Sequence, residues 1–138
     1  MFEPVEGRAR VLVFTESPSR LVVPGERPCT YCQQTVELVQ ELASVAGKVD
    51  VEVYDRRVHP DKLQEFGIDR VPALVVTDGE TRLRGVRYFG IPAGYEFGAL
   101  LEDLVDVASG RTRLSEPTRR SLGTIQSPVH LKVFVTPT

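Results

Sequence analysis

The chain has 138 residues, 41% of them hydrophobic and 26% charged, with a formal net charge of −2. That length suits one compact domain with an excess at one end, and the balanced charge excludes wholesale disorder. No long basic run marks a nucleic-acid surface, and no apolar stretch approaches the roughly 20 residues that cross a bilayer. The opening residues, Met1 to Glu6, lack a positive region followed by an apolar core, so no secretory signal is expected and the cytoplasm is the expected compartment.

Residues 10–15, Arg-Val-Leu-Val-Phe-Thr, form a short apolar run rich in β-formers and predict a buried strand. Residues 16–28 hold Pro18, Pro24, Gly25 and Pro28, which predicts a loop. The period then changes to helical. Val36, Val39, Leu42, Val45 and Ala46 share one face, Gly47 ends the run, and the helix is expected to begin near Cys29 or Thr30. Residues 49–54 alternate cleanly as a second strand. Pro60, Asp61 and Lys62 open a short helix ending at Phe66-Gly67.

Residues 72–77 predict a third strand, Asp78-Gly79 a hairpin turn, and residues 81–89 the returning strand. After a turn at residues 90–94, Phe97, Leu100, Leu101, Leu104, Val105 and Ala108 make the apolar stripe of an amphipathic helix. The order β-α-β-α-β-β-α is an α/β arrangement: a mixed four-stranded sheet with flanking helices. Beyond it, Ser115-Glu116-Pro117 is a helix start, and residues 129–138 are strand-like and similar to the first strand.

Only two cysteines occur, in Cys29-Thr30-Tyr31-Cys32. A bridge closing so short a loop constrains the unfolded chain little, so reactivity explains the pair better than stapling. A cysteine ahead of a helix meets unpaired N–H groups and the positive end of the dipole, which stabilise its thiolate. The spacing lets the second sulfur resolve a mixed disulfide formed by the first. Cys29 is therefore read as the exposed nucleophile and Cys32 as the buried resolving thiol. Thr30 and Tyr31 tune the thiolate, and Pro28 restricts the approach of the loop. Val71-Pro72 opens the third strand, where a proline that cannot donate to a ladder belongs.

These segments, with residues 68–73 and residues 87–97 around Tyr88-Phe89-Gly90-Ile91-Pro92-Ala93-Gly94, resemble the N-terminal unit of the glutaredoxin-like protein disulfide oxidoreductases. That family is built of two tandem units of thioredoxin-like fold. The resemblance implies a cis Pro72 lying against the dithiol, with the backbone at Val71 and Pro72 offered to a substrate's extended chain, so that Thr30, Tyr31, Val71 and Pro72 line the substrate site. Glu16 stands near the place of an acid that helps move the resolving cysteine's proton; the plainer reading is an exposed loop carboxylate. The expected partners are disulfide-containing proteins and an electron donor of the thioredoxin-reductase kind, with no cofactor.

The resemblance departs at residues 16–28, which are longer than the family's link. It also implies a division into a thioredoxin-like domain at 1–109, a partly helical linker at 110–128, and at 129–138 the first strand of a second unit whose CxxC would follow Thr138. Truncation, loss of the second half, or a selenocysteine codon read as a stop are the candidate reasons for that ending.

Two other classes compete with the oxidoreductase. One is a catalytically weak or structural thioredoxin-fold module. The other is metal binding: zinc wants four ligands, and His59 and His130 lack finger spacing, which leaves zinc or a [2Fe–2S] cluster to sharing between chains.

Overall fold

The computed structural model describes residues 7–19, 24, 25, 27–78 and 85–135. Its first seven elements run β1 (Ala9–Thr15), α1 (Cys32–Ala46), β2 (Val49–Asp55), α2 (Pro60–Phe66), β3 (Ala73–Thr77), β4 (Val86–Phe89) and α3 (Tyr95–Ser109). They form one sheet of order β2-β1-β3-β4. β1 and β2 are parallel, whereas β1–β3 and β3–β4 are antiparallel. This is the expected mixed four-stranded sheet. Gly79 of the predicted hairpin turn, and residues 81–84 of the returning strand, lie outside the described residues.

The central strands sort their side chains by the two-residue pleat. From β1, Val11 and Val13 join Leu74 and Val76 of β3 on one face, against Val39 of α1 and Leu100 and Leu104 of α3. Leu12 and Phe14 join Ala73 and Val75 on the other face, with Ile68 and the α2 residues Leu63 and Phe66. Both faces are covered, which is why residues 10–15 read as a continuous apolar run rather than an alternating one. Among the described residues the edge strand β2 has a neighbour on one side only; most of its residues are half-buried and Val53 is exposed. Tyr88 of β4 ties the sheet to α3 by donating its hydroxyl to the Asp103 carboxylate, and burial together with that carboxylate pushes the phenol's pKa up.

Apart from shifts of a residue at strand ends, two features differ from the sequence expectation. α1 begins at Cys32, not at Cys29 or Thr30, because the first helical backbone bond runs from the Thr35 N–H to the Tyr31 carbonyl. Its far end is as expected: Gly47 takes the left-handed conformation and its N–H returns to the Ala43 carbonyl. The second difference lies in the tail. α4 (Glu116–Gly123) starts where Ser115-Glu116-Pro117 predicts, with the Ser115 side chain accepting from the Thr118 N–H. Residues 129–135, however, form no strand and are exposed. A strand needs a neighbour for its N–H and C=O groups, and none of the described residues supplies one.

The topology gathers three chain segments at one edge. The C-terminal ends of parallel β1 and β2 lie beside the start of antiparallel β3, as the Phe14–Ala73 and Thr15–Asp55 register pairs show. Crevices at the carboxyl ends of strands are where open α/β sheets bind ligands.

Candidate functional site

Cys29 and Cys32 are joined as a disulfide with their Cα atoms 5.5 Å apart. Cys32 is the first residue of α1 and is only 1% exposed, while Cys29, in the turn before the helix, is partly exposed. Tyr31 precedes α1 without a side-chain cap. The first-turn N–H groups of α1 therefore keep the orphan character that favours an anion in front of them. The buried Thr35, one turn on, satisfies its hydroxyl internally by donating to the Tyr31 carbonyl at 2.7 Å, which fastens the start of the helix to the CxxC turn.

The Val71–Pro72 peptide bond is cis, as expected, and Pro72 is buried. Its carbonyl accepts from the Gly90 N–H at 2.8 Å, which pins the loop to the end of β4. Among the described residues nothing pairs with the backbone N–H or C=O of Val71. Cys29, Thr30, Tyr31, Val71 and Pro72 line one open groove of about 330 Å³, so the sequence-predicted substrate residues are brought together with Cys29. Pro28 lines it too.

Glu16 also lines this groove. It is not the exposed loop carboxylate of the plainer reading, since its side chain is only 4% exposed. Two guanidiniums surround it: Arg56 Nε lies 2.8 Å from Oε2, and a terminal Arg57 nitrogen pairs with Oε1. Both arginines come directly after β2, whose last residue stands in register with Thr15, and the Arg56 N–H donates to the Thr15 carbonyl at 2.9 Å. Asp55 braces the same turn by accepting from the backbone N–H groups of Ser17 and Arg57. Burial works against its charge, but these hydrogen bonds outweigh it and hold its pKa below the ordinary 3.8.

Arg27, Arg56 and Arg57 carry no signal of their own in the sequence. The parallel register of two predicted strands was the available clue, because it sets the residues just after β2 beside those just after β1. His59 is the residue before α2 and is half-buried edge-on to the Tyr54 ring, rather than free in solvent. It does not line the groove. No group of three or more His, Cys, Asp or Glu side chains gathers for a metal ion among the described residues, and no helix among them is long and apolar enough to cross a membrane.

The arrangement can perform dithiol chemistry: a partly exposed sulfur before a helix, a buried second sulfur within bonding reach, and an open groove with unpaired backbone beside them. Comparison with known proteins points the same way. The thioredoxin-domain family matches residues 21–102. A probable thioredoxin of Methanothermobacter thermautotrophicus is 33% identical over 76 residues, covering 54% of this chain and 82% of that protein. A protein disulfide oxidoreductase from Aeropyrum pernix superposes with a TM-score of 0.66 at 28% identity, over 86% of this chain and 47% of its own. The alkylhydroperoxide reductase component AhpF from Enterococcus faecalis superposes with a TM-score of 0.68 at 21% identity, over 84% of this chain and 51% of its own, a likeness of fold. This chain spans about half the length of those two structures.

Proposed function

Because the chain belongs to the thioredoxin-domain family, we propose that it is a thiol–disulfide oxidoreductase acting on protein disulfides through Cys29 and Cys32. The observation that carries this reading is the bonded CxxC pair at the start of α1, with its partly exposed member opening onto a groove bordered by the cis Val71–Pro72 bond.

In the reducing direction the pair starts as a dithiol. The Cys29 thiolate attacks one sulfur of the substrate disulfide; a Cys29–substrate bond forms, the substrate S–S bond breaks, and the leaving sulfur takes a proton. Cys32 then gives up its proton and attacks the Cys29 sulfur, releasing the second substrate thiol. Two electrons have passed to the substrate, and Cys29–Cys32 is the disulfide seen here. An external dithiol or a reductase of the thioredoxin-reductase kind restores it. The reverse sequence forms disulfides.

Each neighbour has a part. Val71 offers its unpaired backbone groups to an extended substrate segment, in the manner of an added strand. Thr30, Tyr31 and Pro72 shape the surface against which the substrate sulfur approaches. Glu16 is the carboxylate lining the groove and the assigned relay for the Cys32 proton; the Arg56 and Arg57 guanidiniums hold it in place there. We assign residues 110–128 as a linker and residues 129–138 as the segment that becomes a first strand once a second unit supplies its neighbour, since 129–135 form no strand here; the exposure of residues 110–135 supports this division.

Reduction of the interchain disulfides of insulin by dithiothreitol, monitored by turbidity, tests the reading. Catalytic amounts of the protein should accelerate precipitation well beyond dithiothreitol alone. A rate equal to the uncatalysed one would refute it.

A further inference from the structure

The chain carries a net charge of −2, yet the groove beside Cys29 is locally positive. Arg27 and Arg56 line it, and Arg57 stands next to them. Among the described residues, the carboxylates that stand against these three guanidiniums are those of Glu16 and Asp55, and both are already engaged. Arg56 is fixed through its Nε, which leaves both terminal nitrogens, on a side chain 43% exposed, without a partner among the described residues. Arg27 is exposed and has no ion pair among the described residues. Two guanidiniums at the mouth of the groove thus retain donors for a ligand carboxylate.

Resting on the exchange reaction assigned above, we propose that this groove selects protein disulfides whose cysteine is flanked by aspartate or glutamate. The occupant is an extended peptide segment. Its backbone pairs with Val71, its cysteine sulfur meets Cys29, and its acidic neighbours pair with Arg27 and the outer nitrogens of Arg56. A small anionic disulfide would satisfy the charges but leave the Val71 backbone unpaired. Exposed pairs of this kind each change affinity by about two- to fivefold, and the positive field adds to the rate of encounter.

The test uses three intermolecularly disulfide-linked peptides that differ only in having Glu, Gln or Lys on both sides of the cysteine, with dithiodiglycolate as a small anionic disulfide. kcat/KM is measured at about 0.02 M and about 0.5 M salt, a range over which screening shortens from tens of ångströms to a few. The expected order is Glu over Gln over Lys. The extremes should differ by about tenfold at low salt and converge at high salt. Arg27→Glu should shrink or invert the ratio.

Equal kcat/KM for the three peptides, or a preference that salt does not alter, overturns the inference while leaving the exchange reaction intact. Dithiodiglycolate turned over as well as the Glu peptide overturns the peptide occupant. Failure to turn over any of them, including the neutral Gln peptide, removes the exchange reading itself.

Discussion

Cys29→Ser should abolish disulfide reduction, with a loss of about a thousandfold or more, because a serine hydroxyl at neutral pH neither ionises nor forms the mixed disulfide. Cys32→Ser should behave differently. Its Cys29 still attacks, but nothing releases the product, so covalent adducts with the substrate accumulate and appear by mass spectrometry or as bands that reductant removes. The asymmetry comes from placement: Cys29 faces the groove, and Cys32 is sealed at the first turn of α1. Both variants should remain folded. Closing so short a loop contributes only roughly 2 kcal/mol in the chain-entropy account, less than a long-loop bridge would. Undiminished insulin reduction by Cys29→Ser would refute the assignment of the nucleophile, and adducts trapped by Cys29→Ser rather than by Cys32→Ser would reverse the two roles.

Phe14→Ala should cost about 3–5 kcal/mol, the largest stability loss expected of any single truncation here. Phe14 is fully buried at the end of the central strand, with its ring 5.6 Å from that of Tyr54 and 5.8 Å from that of Phe66. Removing it empties the space between β1, β2 and α2, at the ends of the two strands that lead into Glu16 and the 55–57 turn. Domains of this size have about 5–15 kcal/mol in hand, so the variant should unfold at markedly lower denaturant and lose activity on warming. Val53→Ala, on the exposed edge strand, should stay within about 1 kcal/mol of the parent. Urea titration of both proteins distinguishes them, and a Phe14→Ala midpoint near the parent's would contradict the packing account.

The fold was legible because its elements differ in period. The apolar, β-former-rich run at residues 10–15 reads as a buried strand, and the stripe from Phe97 to Ala108 as an amphipathic helix seated on a sheet. Leu100 and Leu104 of that stripe are buried. The dithiol and Pro72 were legible because their chemistry is local: two sulfurs one helical turn apart, and a proline at the head of a strand. The helix start was less so. Thr30 is a capping residue type, but the residue before α1 is Tyr31, which makes no side-chain cap, so local signals did not separate turn from helix.

The arginines were not legible by inspection of their own neighbourhood. Arg56 and Arg57 read as an ordinary polar turn after a strand, and only the parallel β1–β2 register carries them across to Glu16. The same register turned Glu16 from an exposed loop residue into a buried, paired one. For the tail, the strand-like run at residues 129–138 and its similarity to the first strand suggested a strand. Such a run favours a strand only beside a pairing partner, and residues 129–135 have none among the described residues.

The central claim is that Cys29–Cys32 is an exchange couple rather than a staple. Equilibration in glutathione or dithiothreitol redox buffers, with the reduced fraction counted by thiol alkylation and mass spectrometry, tests it most directly. An exchange couple should show a reversible two-electron transition between about −270 and −120 mV, the span of dithiol oxidoreductases. A pair that stays oxidised below about −300 mV, as structural disulfides do, would contradict it.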